Sequence, residues 1–550
     1  MKKDLKILAK FFPIYILFLD LIFVIKDYLQ MTGYCINGNI IDQMYTGFVV
    51  VSIVRYPVYY FALLMALSLL YFEIFYKYNM VEVMDAISYK KAEKYQLYSM
   101  CICNCVMTVS LEVLCLAICF FYLHGEMSLI INLAIHIFVN YFLCGMVAIL
   151  LGKSISFIEE KLIKLPVIIC VLVIFTPDFQ NNFLNFINID FSFLEILPAN
   201  YQYMPDNYFL YPIQVQRVAY IFFWIFACAF IIGIKFKNQI WKQTITAILI
   251  FCMLFLAITP RTQMSSQNIY VSGNVKTYYE EGEHSYTRIE KKADFFVKEY
   301  QMNLNIKNQL YAEVTMQLEQ VKGKEELAFT LYHNYDVQKV TDQNGKEIKF
   351  QRKDDYIIVY PEQELTSLTF QYQGTGAPLF SEYIGTYLMP GFVFFPVAGF
   401  RDLYSQEYKD LKAVVLEEDV LFDVKVSSIT KGKFYSNLPE TEFNHFVGES
   451  KNIFLLSGWV KEYQYESTRF LFSSFDNVDL VINEIDKFME KTKHENPEKY
   501  AQLENKVFVY SVGFLSFGYR AYYDDIYLCP GLHEDGFELL FSDYMMENCK

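Results

Sequence analysis

Apolar residues fall into two regimes along this chain. Up to about residue 260 they form long unbroken runs separated by short charged segments, and from Tyr300 onward they alternate with polar residues. Seven runs, 9–27, 46–72, 99–123, 128–151, 164–177, 213–234 and 240–259, approach the length of about 20 residues that a spanning helix needs. The fifth is short and bracketed by Pro166 and Pro177. This pattern predicts an α-helical multi-pass membrane domain over residues 1–262, followed by a linker at 263–298.

The alternating regime reads as strands. Tyr300, Met302, Leu304 and Ile306, then Ala312, Val314, Met316 and Leu318, recur at period two, as half-buried antiparallel strands do. Leu327, Phe329 and Leu331 follow, and Asn344-Gly345 between apolar stretches is a strong hairpin signal. Further strands at Tyr356–Tyr360, Ser367–Tyr372, Ala413–Leu416 and Leu421–Val426 predict a β-sandwich or saddle over 299–430. Leu480, Ile482, Ile485, Phe488 and Met489 then recur at helical spacing, predicting a helix over 478–494. A strand at 507–512 and an alternating stretch at 519–528 make residues 431–550 an α/β segment.

Charge sharpens this division. Residues 1–262 carry 18 basic and 16 acidic side chains, whereas the remainder carries 29 and 45. An acidic soluble half argues against nucleic acid as a partner. Within the apolar half, 14 lysines lie in the N-terminal tail and in every second loop, and the intervening loops hold only Lys26. The positive-inside rule then predicts a protein of the cell membrane with a cytoplasmic N-terminus. Seven crossings place the C-terminal half outside. The start MKKDLKILAKFFPIYILFL has a charged region and an apolar core, but no small-residue cleavage site follows, so it reads as a retained signal anchor.

Ten of the 12 cysteines fall in the apolar half, where a thiol acts as a small hydrophobe. Cys529 and Cys549 alone belong to the acidic half, and pairing between them is left open. Ionisable side chains at membrane depth are costly. Asp20 and Arg55 lie at similar depth in the first two runs and are expected to form an intramembrane polar pair. Glu112 and His136, also mid-span, are expected to form bundle-facing hydrogen bonds.

The segment KYNMVEVMDAISYKKAEKYQLY, Lys77 to Tyr98, separates the second and third runs. It is a basic island with a short apolar face at Val81, Met84 and Ile87. Six spans, this loop after the second, and an aromatic stretch before the sixth resemble the type-2 ATP-binding-cassette exporter permeases. In that family the loop carries a coupling helix that sits on the ATPase. The resemblance implies that Glu82, Asp85, Ile87, Ser88, Lys90 and Lys91 form the ATPase-coupling loop, with Ala86 standing where the family has proline. LPANYQY, Leu197 to Tyr203, is similar to the family's motif before the last core span. The implied fold is a six-span permease core plus a seventh span. Implied partners are a cytoplasmic ATPase subunit holding ATP and Mg, a second permease copy or homologue, membrane lipid, and an unknown exported substrate, with peptide the class to consider. No cofactor is expected in this chain, and it is expected not to be an enzyme. GMVAILLGKS, Gly145 to Ser154, has six residues between its glycines where a phosphate loop needs four.

The acidic half resembles a second family. EYQMNLNIKNQLYAEVTMQLE, DVQKVTDQNGKEIKF, FQYQGTG and the aromatic YLMPGFVFFPVAGF follow the order of the outer β-domain of the aminopeptidase N (gluzincin) family, leading into its thermolysin-like domain. That family's zinc site needs His-Glu-x-x-His, two imidazoles one turn apart with a glutamate as general base. Here His533-Glu534 is followed by Asp535, Gly536 and Phe537, and no metal site is expected. Met546-Glu547-Asn548 echoes the family's substrate motif, with Tyr544 in place of its glycine. The leading expectation is therefore an exporter permease with an outer substrate-binding or gating domain. The alternatives are a membrane-anchored peptidase-like protein, active only if a catalytic part is supplied, and an anchored sensor or binding protein.

Overall fold

The structure is a computed structural model. It describes residues 15–39, 43–44, 46–77, 89–123, 126–176, 195–198, 208–210, 213–235, 240–257, 277–281, 286, 288–375, 381–407, 410–510, 522–523, 525–529 and 537. The chain divides into two compact units. The first comprises Met1–Pro205, Ile213–Arg261 and Phe475–Asn477, and the second Asp206–Pro212, Thr262–Ser474 and Val478–Lys550.

The first unit is helical: α1 (Tyr15–Asn37), α2 (Val49–Arg55), α3 (Pro57–Lys77), α4 (Tyr89–Tyr122), α5 (Met127–Ile137), α6 (Cys144–Ser156), α7 (Lys161–Phe175), α8 (Val215–Lys235) and α9 (Ile240–Ala257). Among the described residues four helical stretches are long and apolar enough to cross a membrane, Val49–Glu73, Glu93–Tyr122, Met127–Ser156 and Val215–Ile234. These match four of the seven expected runs. Helix α1 runs past residue 27 to Asn37 and carries Asp20, Lys26 and Asp27, while the apolar parts of α7 and α9 are short, Leu162–Phe175 and Lys242–Ala257. The six-span core is therefore not established.

Two irregularities shape the bundle. A π-helical stretch, Phe138–Leu143, joins α5 to α6, and such bulges usually leave a backbone carbonyl in need of a donor. Asn104 of α4 supplies one, its amide donating to the Phe142 carbonyl at 3.1 Å while its oxygen accepts from the Tyr60 hydroxyl at 2.8 Å. Gly145 makes room for it, since a Cβ there would lie 2.4 Å from the Asn104 oxygen. Gly152 likewise lets α6 press on α3, where a Cβ would stand 2.8 Å from the Met65 carbonyl.

In the second unit the alternation becomes a seven-stranded sheet. It uses β1 (Phe296–Ile306), β2 (Leu310–Glu319), β4 (Tyr335–Asp342), β7 (Ser367–Gly374), β9 (Val420–Ser428), β10 (Glu440–Glu442) and β11 (His445–Ser450), in the order β10-β11-β9-β1-β2-β7-β4. β1 pairs antiparallel with β2 and parallel with β9, placing Tyr300 beside Phe422. A second sheet holds β3 (Leu327–Thr330), β5 (Lys349–Lys353), β6 (Tyr356–Tyr360) and β8 (Val397–Ala398) in the order β8-β3-β6-β5. The alternate residues expected inward, Tyr300, Met302, Leu304 and Ile306 among them, are buried in one aromatic-rich core.

Three expectations need correction. The Asn344-Gly345 turn forms, with Gly345 at φ 78° and the Ile348 amide donating to Val340, yet β4 and β5 then diverge into different sheets. Residues 413–416 are irregular rather than a strand. The β-domain also does not end at 430, because β10 and β11 extend the large sheet and Leu455–Ser457 pairs with Gly385–Leu388. Beyond it, β12 (Val460–Tyr465), β13 (Thr468–Ser473), β14 (Val507–Tyr510), β15 (Tyr522–Tyr523) and β16 (Ile526–Cys529) form a sheet ordered β12-β13-β14-β16-β15. Helix α10 (Val478–Glu495) is the one the spacing predicted, and α11 (Pro497–Leu503) follows it, capped by the Asn496 side chain.

Candidate functional site

A cleft of about 480 Å³ opens in the β-domain where the starts of β1 and β9 meet the end of β2 and the edge strand β8. Its floor is apolar: Phe295, Tyr300, Val397 and Val420 are all buried. The large sheet supplies two of these because period-two alternation turns Tyr300 and Val420 to the core side. Charge lines the walls. Glu417 bridges Lys292 and Arg401, the latter at 3.2 Å, and Arg401 also faces Glu290 at 3.5 Å. Lys298 pairs with Glu319 at 3.4 Å. Hydrogen bonds from Lys292 and then Arg401 hold the Glu417 carboxyl below the ordinary carboxylate range. Glu418 and Asp419, exposed beside them, form no ion pair with any described residue. A trough with an apolar floor and walls of both signs suits an extended peptide, whose backbone and side chains offer the same mixture.

The segment leading into β1 is fastened to the β-domain by Asp355. This carboxylate is fully buried and accepts from the Tyr279 and Tyr286 hydroxyls, both at 2.9 Å, and from the His333 amide at 2.7 Å. The His333 ring Nδ1 lies 3.1 Å from Oδ1, the oxygen that also accepts from its amide, and the ring is stacked parallel to Tyr278, with ring centres 3.4 Å apart. Burial, and next the Asp355 charge, push the Tyr279 and Tyr286 phenols far up, so both stay neutral donors. Nothing in the spacing of these residues marks the cluster, because its members are dispersed between positions 278 and 355.

The expected coupling residues Glu82, Asp85, Ile87 and Ser88 lie outside the described residues. Lys90 and Lys91 fall on the first turn of α4. The expected Asp20–Arg55 pair is corrected: Arg55 stands 3.5 Å from Asp27, two helical turns further along α1, and the buried Asp20 has an oxygen, Oδ2, without a partner. Depth along two helices could not separate these carboxylates, which lie two turns apart on α1. Lys153, expected as a loop charge, is fully buried and bonded to Glu93 at 3.0 Å. His136 does face the bundle, its Nδ1 lying 3.3 Å from the Asn140 amide, and Arg217 donates to the Asn140 oxygen at 2.6 Å. His533, Glu534 and the stretch from Met546 to Asn548 lie outside the described residues, as does Cys549. Cys529 is buried.

Comparison with known proteins adds the following. No protein-family model matches the chain, and no curated protein matches it. Among solved structures it is similar to yeast LTA4 hydrolase in complex with bestatin, at 13% identity and a TM-score of 0.30, over 46% of this chain and 43% of that one. It is also similar to an M1 zinc metallopeptidase from Deinococcus radiodurans, at 12% identity and a TM-score of 0.27, over 40% of this chain and 57% of that one. Aminopeptidase A of Legionella pneumophila in complex with aspartic acid gives 12% and 0.32, over 44% and 32%. The chain thus spans about half or less of the length of most of these proteins.

These neighbours belong to the family that the strand order of the acidic half resembles. They are enzymes, and none of them is a transporter subunit. This runs against the expectation that the chain is not an enzyme, which is corrected to that extent. The zinc that such enzymes hold does not fit the residues present: the second imidazole is missing after Glu534, and among the described residues no three His, Cys, Asp or Glu side chains converge as a metal site. No chemical step is derived through zinc.

Proposed function

We propose that this chain is a membrane-anchored peptidase-like protein whose β-domain holds peptide in the cleft between β1, β8 and β9. The supporting observation is the cleft itself, with its buried apolar floor and the Lys292–Glu417–Arg401 bridge on its wall. Peptide hydrolysis then requires that a zinc-bearing catalytic part be supplied in addition to the described residues. The helical unit is the anchor, and with the odd number of crossings that seven apolar runs would make, the lysine asymmetry of its loops favours a β-domain outside the cell membrane.

The test uses the full chain in detergent or nanodiscs. Fluorescence anisotropy with a library of labelled peptides reads binding, and metal analysis with an aminoacyl reporter reads activity. Peptide binding that Arg401→Glu weakens at least about tenfold, a loss of about 1.4 kcal/mol, supports the reading. Absence of peptide binding, or an ATPase that copurifies and whose turnover the chain stimulates, refutes it.

A further inference from the structure

The helical unit contains a buried acid that an inert anchor does not need. Asp20 projects from the inward face of α1, in line with Leu17, Leu21, Val24 and Tyr28, and is 8% exposed. Its Oδ2 is buried without a hydrogen-bond partner. Among the described residues the cations nearest in sequence or pairing are placed elsewhere. Arg55 is committed to Asp27, Lys26 is exposed on another face of the same helix, and Lys153 is bonded to Glu93.

The titratable groups that the surrounding elements bring within its electrostatic reach are phenols, Tyr60 of α3 and Tyr141 of the π-helical stretch. The cysteines that α4 adds beside these phenols and beside Tyr28 are Cys103, Cys115 and Cys119. Tyr60 is engaged with Asn104, but the Tyr141 hydroxyl is buried and also lacks a partner. A bare carboxylate in such surroundings costs several kcal/mol, and the carboxyl relieves that cost by taking up a proton. A sodium ion would need several oxygen ligands converging on it, and one carboxylate oxygen with one phenol falls short of that.

We propose that Asp20 is a proton-binding site of the helical unit. The carboxyl is neutral when the helices are packed as here, and it releases its proton only when α1 moves away from Tyr60 and Tyr141. Such a site makes the helical unit a proton-linked two-state element, independent of what the β-domain binds.

Dicyclohexylcarbodiimide, an apolar reagent that attacks carboxylic acids in their protonated form, tests this on the full chain in nanodiscs. At a pH of about 7.5, where solvated carboxyl groups are ionised, peptide mass mapping should find the adduct on Asp20. Glu440 and Glu442, exposed in the β-domain, should stay unlabelled. Asp20→Asn should remain folded and monodisperse, because a neutral side chain of the same shape replaces a neutral one. Labelling of Asp20 no greater than that of Glu440 and Glu442 would overturn the proposal. So would protection by sodium against choline at equal ionic strength, which would mark a cation site, or the unfolding of Asp20→Asn, which would mark an ionised and paired carboxylate.

Discussion

Replacing Asp355 by alanine removes the acceptor on which the segment before β1 depends. Three donors then remain in the interior: the Tyr279 hydroxyl, the His333 amide and the Tyr286 hydroxyl, of which the last can turn to Tyr356 at 3.2 Å. The Tyr279 hydroxyl can likewise turn to the His333 Nδ1 at 3.3 Å, which leaves the His333 amide as the donor without an alternative; a buried donor left unsatisfied costs about 1–3 kcal/mol, here about 2 kcal/mol. The loss falls on the described residues of this segment, 277–281, 286 and 288–291, which the paired Lys291 and Phe400 backbones, Arg288 over the Tyr404 ring and the Ile289 amide on the Tyr356 hydroxyl also hold. Opening of that segment should become roughly thirtyfold more populated. Trypsin pulses on the full chain, with mass spectrometry of cuts after Arg288 and Lys291, read this directly when reclosing is faster than cleavage. Cuts after Lys431, in an exposed turn at φ 52°, serve as the unaffected reference. Asp355→Asn, which keeps one acceptor oxygen, should fall between the two. Cleavage after Arg288 within about twofold of the parent in Asp355→Ala would refute the reasoning, since that is the scatter expected of a surface substitution.

Gly145→Ala should destabilise the helical unit by about 1–3 kcal/mol through collision with Asn104, and its cost should largely vanish in an Asn104→Ala background; thermal melts in detergent check this, and additive losses would contradict it. Glu93→Gln should cost about 3–5 kcal/mol by stranding the buried Lys153 charge, with Lys153→Met as the partial rescue in the same assay. The Glu417 carboxyl is depressed, so the stability it adds is present above the ordinary carboxyl pKa of about 4.3 and is lost as pH falls through its lower folded value; peptide anisotropy should show the cleft intact at pH 5 and weakened toward pH 3. Burial pushes the Cys529 thiol well up, so maleimide should modify it only on unfolding.

The β-strands were the most legible part of the chain because a half-buried strand writes its burial at period two. Tyr300 to Ile306 and Ala312 to Leu318 lie as their spacing required. What that period does not encode is which strand neighbours which. β9 and β11 look alike as isolated runs whether or not they join the sheet of β1, and the domain boundary moved past 430 for this reason. In the apolar half every face of a helix is hydrophobic, so periodicity carries little information, and length alone separated α7 and α9 from the longer helices. Polar residues there find partners by three-dimensional packing. Lys153 counts as a loop charge by position and is a core residue by contact. The cleft was not legible at all, since Lys292, Arg401 and Glu417 come from three separate stretches.

The parallel pairing of β1 with β9 has a consequence for how the chain is made. β2 can close on β1 as soon as it emerges, but the other edge of β1 must wait for Val420–Ser428, more than a hundred residues later. At a synthesis rate of about 5–20 residues per second, that edge stays unpaired for roughly 6–24 seconds. During that time the strand shows a row of free backbone donors and acceptors flanked by Met302, Leu304 and Ile306, which is a template for joining a neighbouring nascent chain. The central strand of the mature sheet is thus the chain's most exposed edge during its birth, and its yield in the cell should depend on whatever shields β1 until β9 arrives.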